Sequence, residues 1–268
     1  MRLAAFPKFA LLAALASAFA LTGCGFTSSS NSGGSTPSAG NWSFAATSTV
    51  TSGQVSHIGG NLTLSGNNVS STMHADLPCF DVSQPFTFGG TLKNKQITFT
   101  SPPNANNQVI TLIASVASSS SITGTYTVTA GGACAADQGN ITAALAPSIS
   151  GTWTGPIAGH GGPSVTLSMA LTQASTASAD GTFALTGNLT YANSSCSKSG
   201  TLNNSFVVGS MVVMQATTLE QDGVTQGSIS YNNTFLNNPA TPTSMKGDYQ
   251  VGGGYCAGDT DTPTFTKQ

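Results

Sequence analysis

The strongest constraint on the fold is that the chain carries the same pattern twice. The segment Gly124–Gly139, GTYTVTAGGACAADQG, returns as GDYQVGGGYCAGDTD at Gly247–Asp261. Two further landmarks repeat upstream in the same order. Gly40-Asn41-Trp42-Ser43 is matched by Gly151-Thr152-Trp153-Thr154, which together hold both tryptophans of the chain. Phe88-Gly89-Gly90-Thr91-Leu92-Lys93-Asn94 is matched by Lys198-Ser199-Gly200-Thr201-Leu202-Asn203-Asn204. Three landmarks in one order indicate an internal duplication, with its boundary near Ala146-Pro147-Ser148. The expected organisation is a leader over 1–23, a tether over 24–40, a first domain over 41–147 and a second over 148–268.

Periodicity sets the class of each half. VITLIASV (Val109–Val116), SITGTYTVT (Ser121–Thr129), SVTLSMAL (Ser164–Leu171) and GTFALTGNL (Gly181–Leu189) alternate apolar and polar residues, as strands with one buried face do. Gly-Asn, Asn-Asn, Asp-Gly and Pro-Pro clusters separate such runs at roughly 8–12 residues, the spacing of antiparallel sandwiches and barrels. After Cys24 no long amphipathic helical pattern stands out. The expectation is an all-β protein of two tandem antiparallel domains, each with about eight strands, closed as a barrel or split into a two-sheet sandwich.

Gly-x-Trp on the first strand of each half, Gly40/Trp42 and Gly151/Trp153, resembles the opening of lipocalin and calycin barrels. That resemblance implies a tryptophan at the closed end of a barrel and a carrier of a small apolar ligand. The later lipocalin motifs are absent. On the residues alone, Trp42 and Trp153 read as core anchors, with Tyr126 and Tyr249 of the repeated Gly-x-Tyr strand beside them.

The N-terminus indicates where the protein resides. Arg2 and Lys8 precede the apolar run Phe9–Ala20, which is shorter than the about 20 residues needed to cross a bilayer and reads as the core of a signal peptide. Leu21-Thr22-Gly23-Cys24 then resembles the lipobox of bacterial lipoproteins. The likeness implies that Cys24 becomes the first mature residue, bearing diacylglycerol and an acylated amine, which is enough for stable anchoring. Gly25 in the next position, not Asp, implies by the same likeness export to the outer membrane. The Ser/Gly/Asn-rich stretch up to Gly40 has the composition of a flexible tether.

Cysteine usage fits an exported chain. Beyond Cys24, the remaining cysteines of the total of 5 are Cys79, Cys134, Cys196 and Cys256, and an oxidising compartment favours disulfides. In each half one cysteine precedes the Gly-Thr-Leu landmark and one follows the Gly-x-Tyr strand. Duplication therefore predicts Cys79–Cys134 and Cys196–Cys256. Zinc sites favour close cysteine pairs, and none is present.

Charge is scarce, at 6% of residues with Glu220 as the only glutamate. Arg2 and Lys8 leave with the leader, so the 7 Lys and Arg fall to 5 against 9 acids, near −4 for the mature chain. Without a basic patch, nucleic acid is excluded as a partner. A neutral Ser/Thr/Asn surface suits neutral partners such as glycans or other proteins, whereas a small apolar ligand would be enclosed in a barrel.

Residues able to do chemistry are few. His57, His74 and His160 are the 3 histidines, and His74 with Asp76 and Asp81 has the makings of a base and its orienter. Glu220 and Asp222, in EQDG, are the nearest to a carboxylate pair. Neither set sits in a G-x-S-x-G, HExxH, P-loop or dinucleotide motif, so loop and turn roles are expected. Asp259 and Asp261 offer oxygens at alternate positions, a weak calcium pattern that lacks the full loop; Asp137 is the partial counterpart of Asp259. The aliphatic residues of Val207–Met214, VVGSMVVM, are a candidate cavity lining for a carrier, which a filled core would rule out. The functional expectation is a non-enzymatic envelope lipoprotein without cofactor, serving as a binding or surface module, with a barrel carrier as alternative and a hydrolase a lesser one.

Overall fold

The structure, a computed structural model, describes residues 36–80 and 83–268. The leader, Cys24, most of the tether and Asp81 lie outside the described residues. The first half forms β1 (Gly40–Ser48), β2 (Val55–Ser65), β3 (Asn68–Asp76), β4 (Phe86–Lys93), β5 (Gln96–Thr100), β6 (Ile110–Ser118), β7 (Ser121–Val128) and β8 (Asp137–Leu145). Each strand pairs antiparallel with the next, and β1 pairs with both β2 and β8, so the sheet closes into a barrel rather than a sandwich.

The second half repeats this plan with β9 (Gly151–Gly159), β10 (Gly162–Gln173), β11 (Phe183–Ala192), β12 (Ser197–Val208), β13 (Met211–Glu220), β14 (Gln226–Leu236), β15 (Ser244–Gly253), β16 (Thr260–Asp261) and β17 (Thr264–Lys267). Strand β15 pairs with β14 and β17, and β17 returns to β9, closing a second barrel; the two-residue β16 lies beside β15. Both barrels belong to one compact unit.

The duplication extends to backbone conformation. Gly40 and Gly151 hold φ of 138° and 131°, a region that is essentially glycine-only. Each sets the tryptophan two residues later into its barrel, with its indole N–H donated to the carbonyl four residues back: Trp42 to Ser38 at 2.9 Å, Trp153 to Ile149 at 2.8 Å. The disulfides are Cys79–Cys134 and Cys196–Cys256, as the repeat predicts. They span 55 and 60 residues, loops for which the chain-entropy model gives roughly 4 kcal/mol each.

Eight strands enclose just enough room for side chains to fill, and aromatic residues fill it here. Trp42, Phe44, Phe88, Phe99 and Tyr126 are buried in the first barrel, and Trp153, Tyr231, Tyr249 and Phe265 in the second. Tyr126 donates its hydroxyl to Asp137 Oδ2 at 2.7 Å, and Ser48 donates to Oδ1 at 2.6 Å. Asp137 thereby ties three strands together.

Outward positions carry the polar residues. One row across the first barrel reads Thr63, Ser70, Gly89, Thr100, Thr111, Thr127, Gln138. A matching row on the second reads Thr152, Ala170, Asn188, Thr201, Thr217, Ser228. Threonine satisfies the strand through its branched Cβ and water through its hydroxyl, which is how a chain so poor in charge builds a solvated exterior. An apolar inside with a polar outside is the reverse of a membrane-spanning barrel.

Candidate functional site

The two halves differ most at one hairpin, and that difference builds the site. In the first barrel β4 turns at Asn94-Lys95, directly after the Gly-Thr-Leu landmark. In the second, the matching strand β12 passes a bulge at Asn203–Phe206 and runs on to Val208 before turning at Gly209-Ser210 into β13. The unbroken apolar run Val207–Met214 is this extension. Its inward residues Val207, Val212 and Met214 join the core of the second barrel, while its tip leans on the first barrel.

The receiving surface is the outer face of β1, β2 and β3. Cross-strand registers place three outward rows there: Asn41-Asn61-Thr72, Ser43-Gly59-His74 and Ala45-His57-Asp76. Outward polar residues of a barrel are normally wet, yet Asn41, Ser43 and His74 are only 4%, 3% and 3% exposed. The hairpin covers them. Gly59 and Gly209 meet backbone to backbone; a Cβ on Gly59 would lie 2.6 Å from Gly209 Cα. The Asn41 side chain then acts as a short strand partner. Gly209 N–H donates to Asn41 Oδ1 at 2.6 Å, and Asn41 Nδ2 donates to Gly209 C=O at 3.2 Å.

Two further ties flank this contact. His74 Nε2 donates to the Asp180 carbonyl at 3.0 Å. The Asp180 carboxylate orders its own loop by accepting from the Ser178 and Thr182 hydroxyls and the Thr182 amide. On the other side the His57 ring lies 4.6 Å from the Phe235 ring at 30°, with Nδ1 3.4 Å from Ser210 Oγ. Burial lowers the pKa of His57, with Asp76 opposing, so the imidazole is neutral near pH ~7.

Beside these ties a crevice of about 270 Å³ stays open between the halves. Phe206, Val208, Met211, Val213 and Phe235 form its apolar wall, and Asp76, Ser83, Asn233 and Thr234 supply its polar groups. Asn233 is held by donating to Asp248 Oδ2 at 2.9 Å. The volume lies just under the about 300–1,000 Å³ of drug-sized sites, but the composition and the position at a junction are those of ligand sites. A larger depression of about 610 Å³ indents the first barrel, between Phe80, Gln84 and Phe86 on one side and Ser101, Asn104 and Asn106 on the other. Its wall is mixed, with Phe80 and Phe86 beside amide side chains and prolines, and its lining comes from the first half alone.

The other candidate residues are dispersed. Asp76 lines the crevice, whereas His74, two residues earlier, is engaged by the Asp180 carbonyl, so the two form no base–orienter unit. Glu220 and Asp222 point to different places, one into the barrel and one into the turn. Asp222 is in the turn, where the Thr225 hydroxyl and the Val224 and Thr225 amides push its pKa down to about 2. Glu220 points into the second barrel at 1% exposure, over Gly227 and Gly254, with Ser197 donating to Oε1 at 3.4 Å and Oε2 unpartnered among the described residues. Burial raises its pKa, and Asp222 adds to the rise.

Asp259 and Asp261 also part ways. The Asp259 carboxylate meets His160 Nδ1 at 2.9 Å, while Asp261 accepts from the Ala158 and Thr262 amides. Cys256 Sγ lies close to His160 and Asp259, but its disulfide with Cys196 removes the thiolate a metal requires. Asp137 is spent on Ser48 and Tyr126.

Sequence reading missed Phe206, Phe235 and the docked face. The available signals were the loss of alternation in Val207–Met214 and the small outward residues Ser43, Ala45 and Gly59. No family model matches the chain, and neither curated proteins nor solved structures give a match.

Proposed function

We propose that this chain is a lipid-anchored protein of the bacterial cell envelope, at the outer membrane, that works as a non-enzymatic binding module. Its binding site is the crevice between the barrels, and its ligand is a small apolar molecule. The observation that carries this reading is the apolar wall of Phe206, Val208, Met211, Val213 and Phe235, left open at a junction that is otherwise closed. Large side chains occupy both barrel interiors, which favours the crevice over a carrier site within a barrel. The engagement of His74, Asp137 and Asp261 in structural bonds favours binding over hydrolysis. The LTGC sequence ending at Cys24 supports the anchor.

Two measurements test it. Native mass spectrometry of the protein extracted from its own envelope in mild detergent should give the acylated Cys24 mass; an unacylated N-terminus overturns the anchor. In spectra of the same protein labelled with methyl-¹³C methionine, 2-phenylethanol should shift Met211 in the crevice and leave Met169, inside the second barrel, unmoved. A Met211 signal that does not respond at saturating probe overturns the site.

A further inference from the structure

We propose that the crevice selects ligands with a cationic amine next to their apolar body, and that the Asp76 carboxylate is the group that selects them. This rests on the crevice being the binding site.

Among the described residues, Asp76 is the one charged residue in the wall. It is exposed at the end of β3, and it makes no hydrogen bond or salt bridge among the described residues. Its cross-strand neighbour is His57, which is stacked on Phe235 and is neutral at the pH of interest, so it leaves the carboxylate charge in place. Across the crevice, Asn233 is backed by Asp248, a second negative charge behind the wall. Lys246 faces Phe235 from the neighbouring strand β15 but is outside the wall. The local field is therefore negative, and Phe206 and Phe235 present aromatic surfaces to which ammonium groups are attracted. A neutral apolar molecule gains only the wall. An amine of the same shape gains the wall and the carboxylate, and a carboxylic acid is repelled.

The probes are 2-phenylethylamine and 2-phenylethanol, which differ at one polar group and carry one charge and none near pH ~7. Titrated into the full chain and followed on the Met211 methyl signal, the amine should bind about two- to fivefold more tightly, the range of a partly solvated ion pair. Asp76→Asn should bring the two probes to parity, and added salt should shrink the gap in the wild type. Equal affinities in the wild type, or a preference that survives Asp76→Asn, overturn the amine assignment and leave the crevice standing. If neither probe moves Met211, the crevice itself fails as the site.

Discussion

Replacing Gly59 by alanine should separate the two barrels without unfolding either. The added Cβ would sit 2.6 Å from Gly209 Cα, 2.7 Å from its nitrogen and 2.7 Å from the Val208 oxygen. All three are backbone atoms, so no rotamer change relieves the clash and the hairpin must lift. Lifting breaks both Asn41–Gly209 hydrogen bonds, at 2.6 Å and 3.2 Å, each contributing about 0.5–1.5 kcal/mol. Strain of an overpacked contact adds about 1–3 kcal/mol if the hairpin resists. Since yielding relieves the strain at the expense of the bonds, the two costs are alternatives and the total is about 1–3 kcal/mol. That corresponds to roughly 2–12 °C in Tm if the barrels unfold together.

Gly89 provides the control. It lies on the outer face of the same barrel with nothing within 4 Å of its would-be Cβ, and Gly89→Ala should be close to neutral. The assay is urea unfolding followed by circular dichroism, together with hydrogen exchange at the Gly209 amide. The wild type should unfold in one transition with Gly209 protected. Gly59→Ala should show two transitions or an earlier single one, with Gly209 exchanging freely. An unchanged midpoint together with an unchanged Gly209 exchange rate would refute the docked hairpin and, with it, the crevice.

Two further outcomes follow from the barrel interiors. Because the folded-state pKa of Glu220 is raised by burial, its contribution to stability is full below the ordinary glutamate range and lost as pH rises through the raised value. Glu220→Gln should flatten that decline in urea midpoints taken from pH about 4 to 9, and parallel curves would contradict it. Tyr126→Phe removes a hydroxyl bonded to the Asp137 carboxylate and should cost about 1.5–3 kcal/mol. Tyr249→Phe, whose hydroxyl has no hydrogen bond among the described residues, should cost less in the same denaturation experiment.

The resemblance of the halves hides an asymmetry that only one of them needed. Asp137 accepts the repeated tyrosine's hydroxyl in the first barrel, while its counterpart Asp259 turns outward to His160 in the second. There, Glu220 enters the interior instead, beside Tyr191, Ser197 and Thr218. Identical landmarks thus frame interiors of different polarity.

What the sequence determined by itself was local or repeated. Alternation specifies strands because successive side chains point to opposite faces. Duplication specifies where the second half begins and which cysteines pair, because equivalent residues occupy equivalent places in two copies of one fold. Barrel rather than sandwich was decided by the pairing of β1 with β8, a contact between strands nearly a whole domain apart that periodicity does not encode. The crevice was decided further away still. Gly59 and Gly209, or His57 and Phe235, lie in different repeats, and nothing in the spacing of either residue records that it will meet the other. Only once the extended hairpin crosses the outer face of the first barrel does an aspartate at the end of a strand stand over an apolar wall.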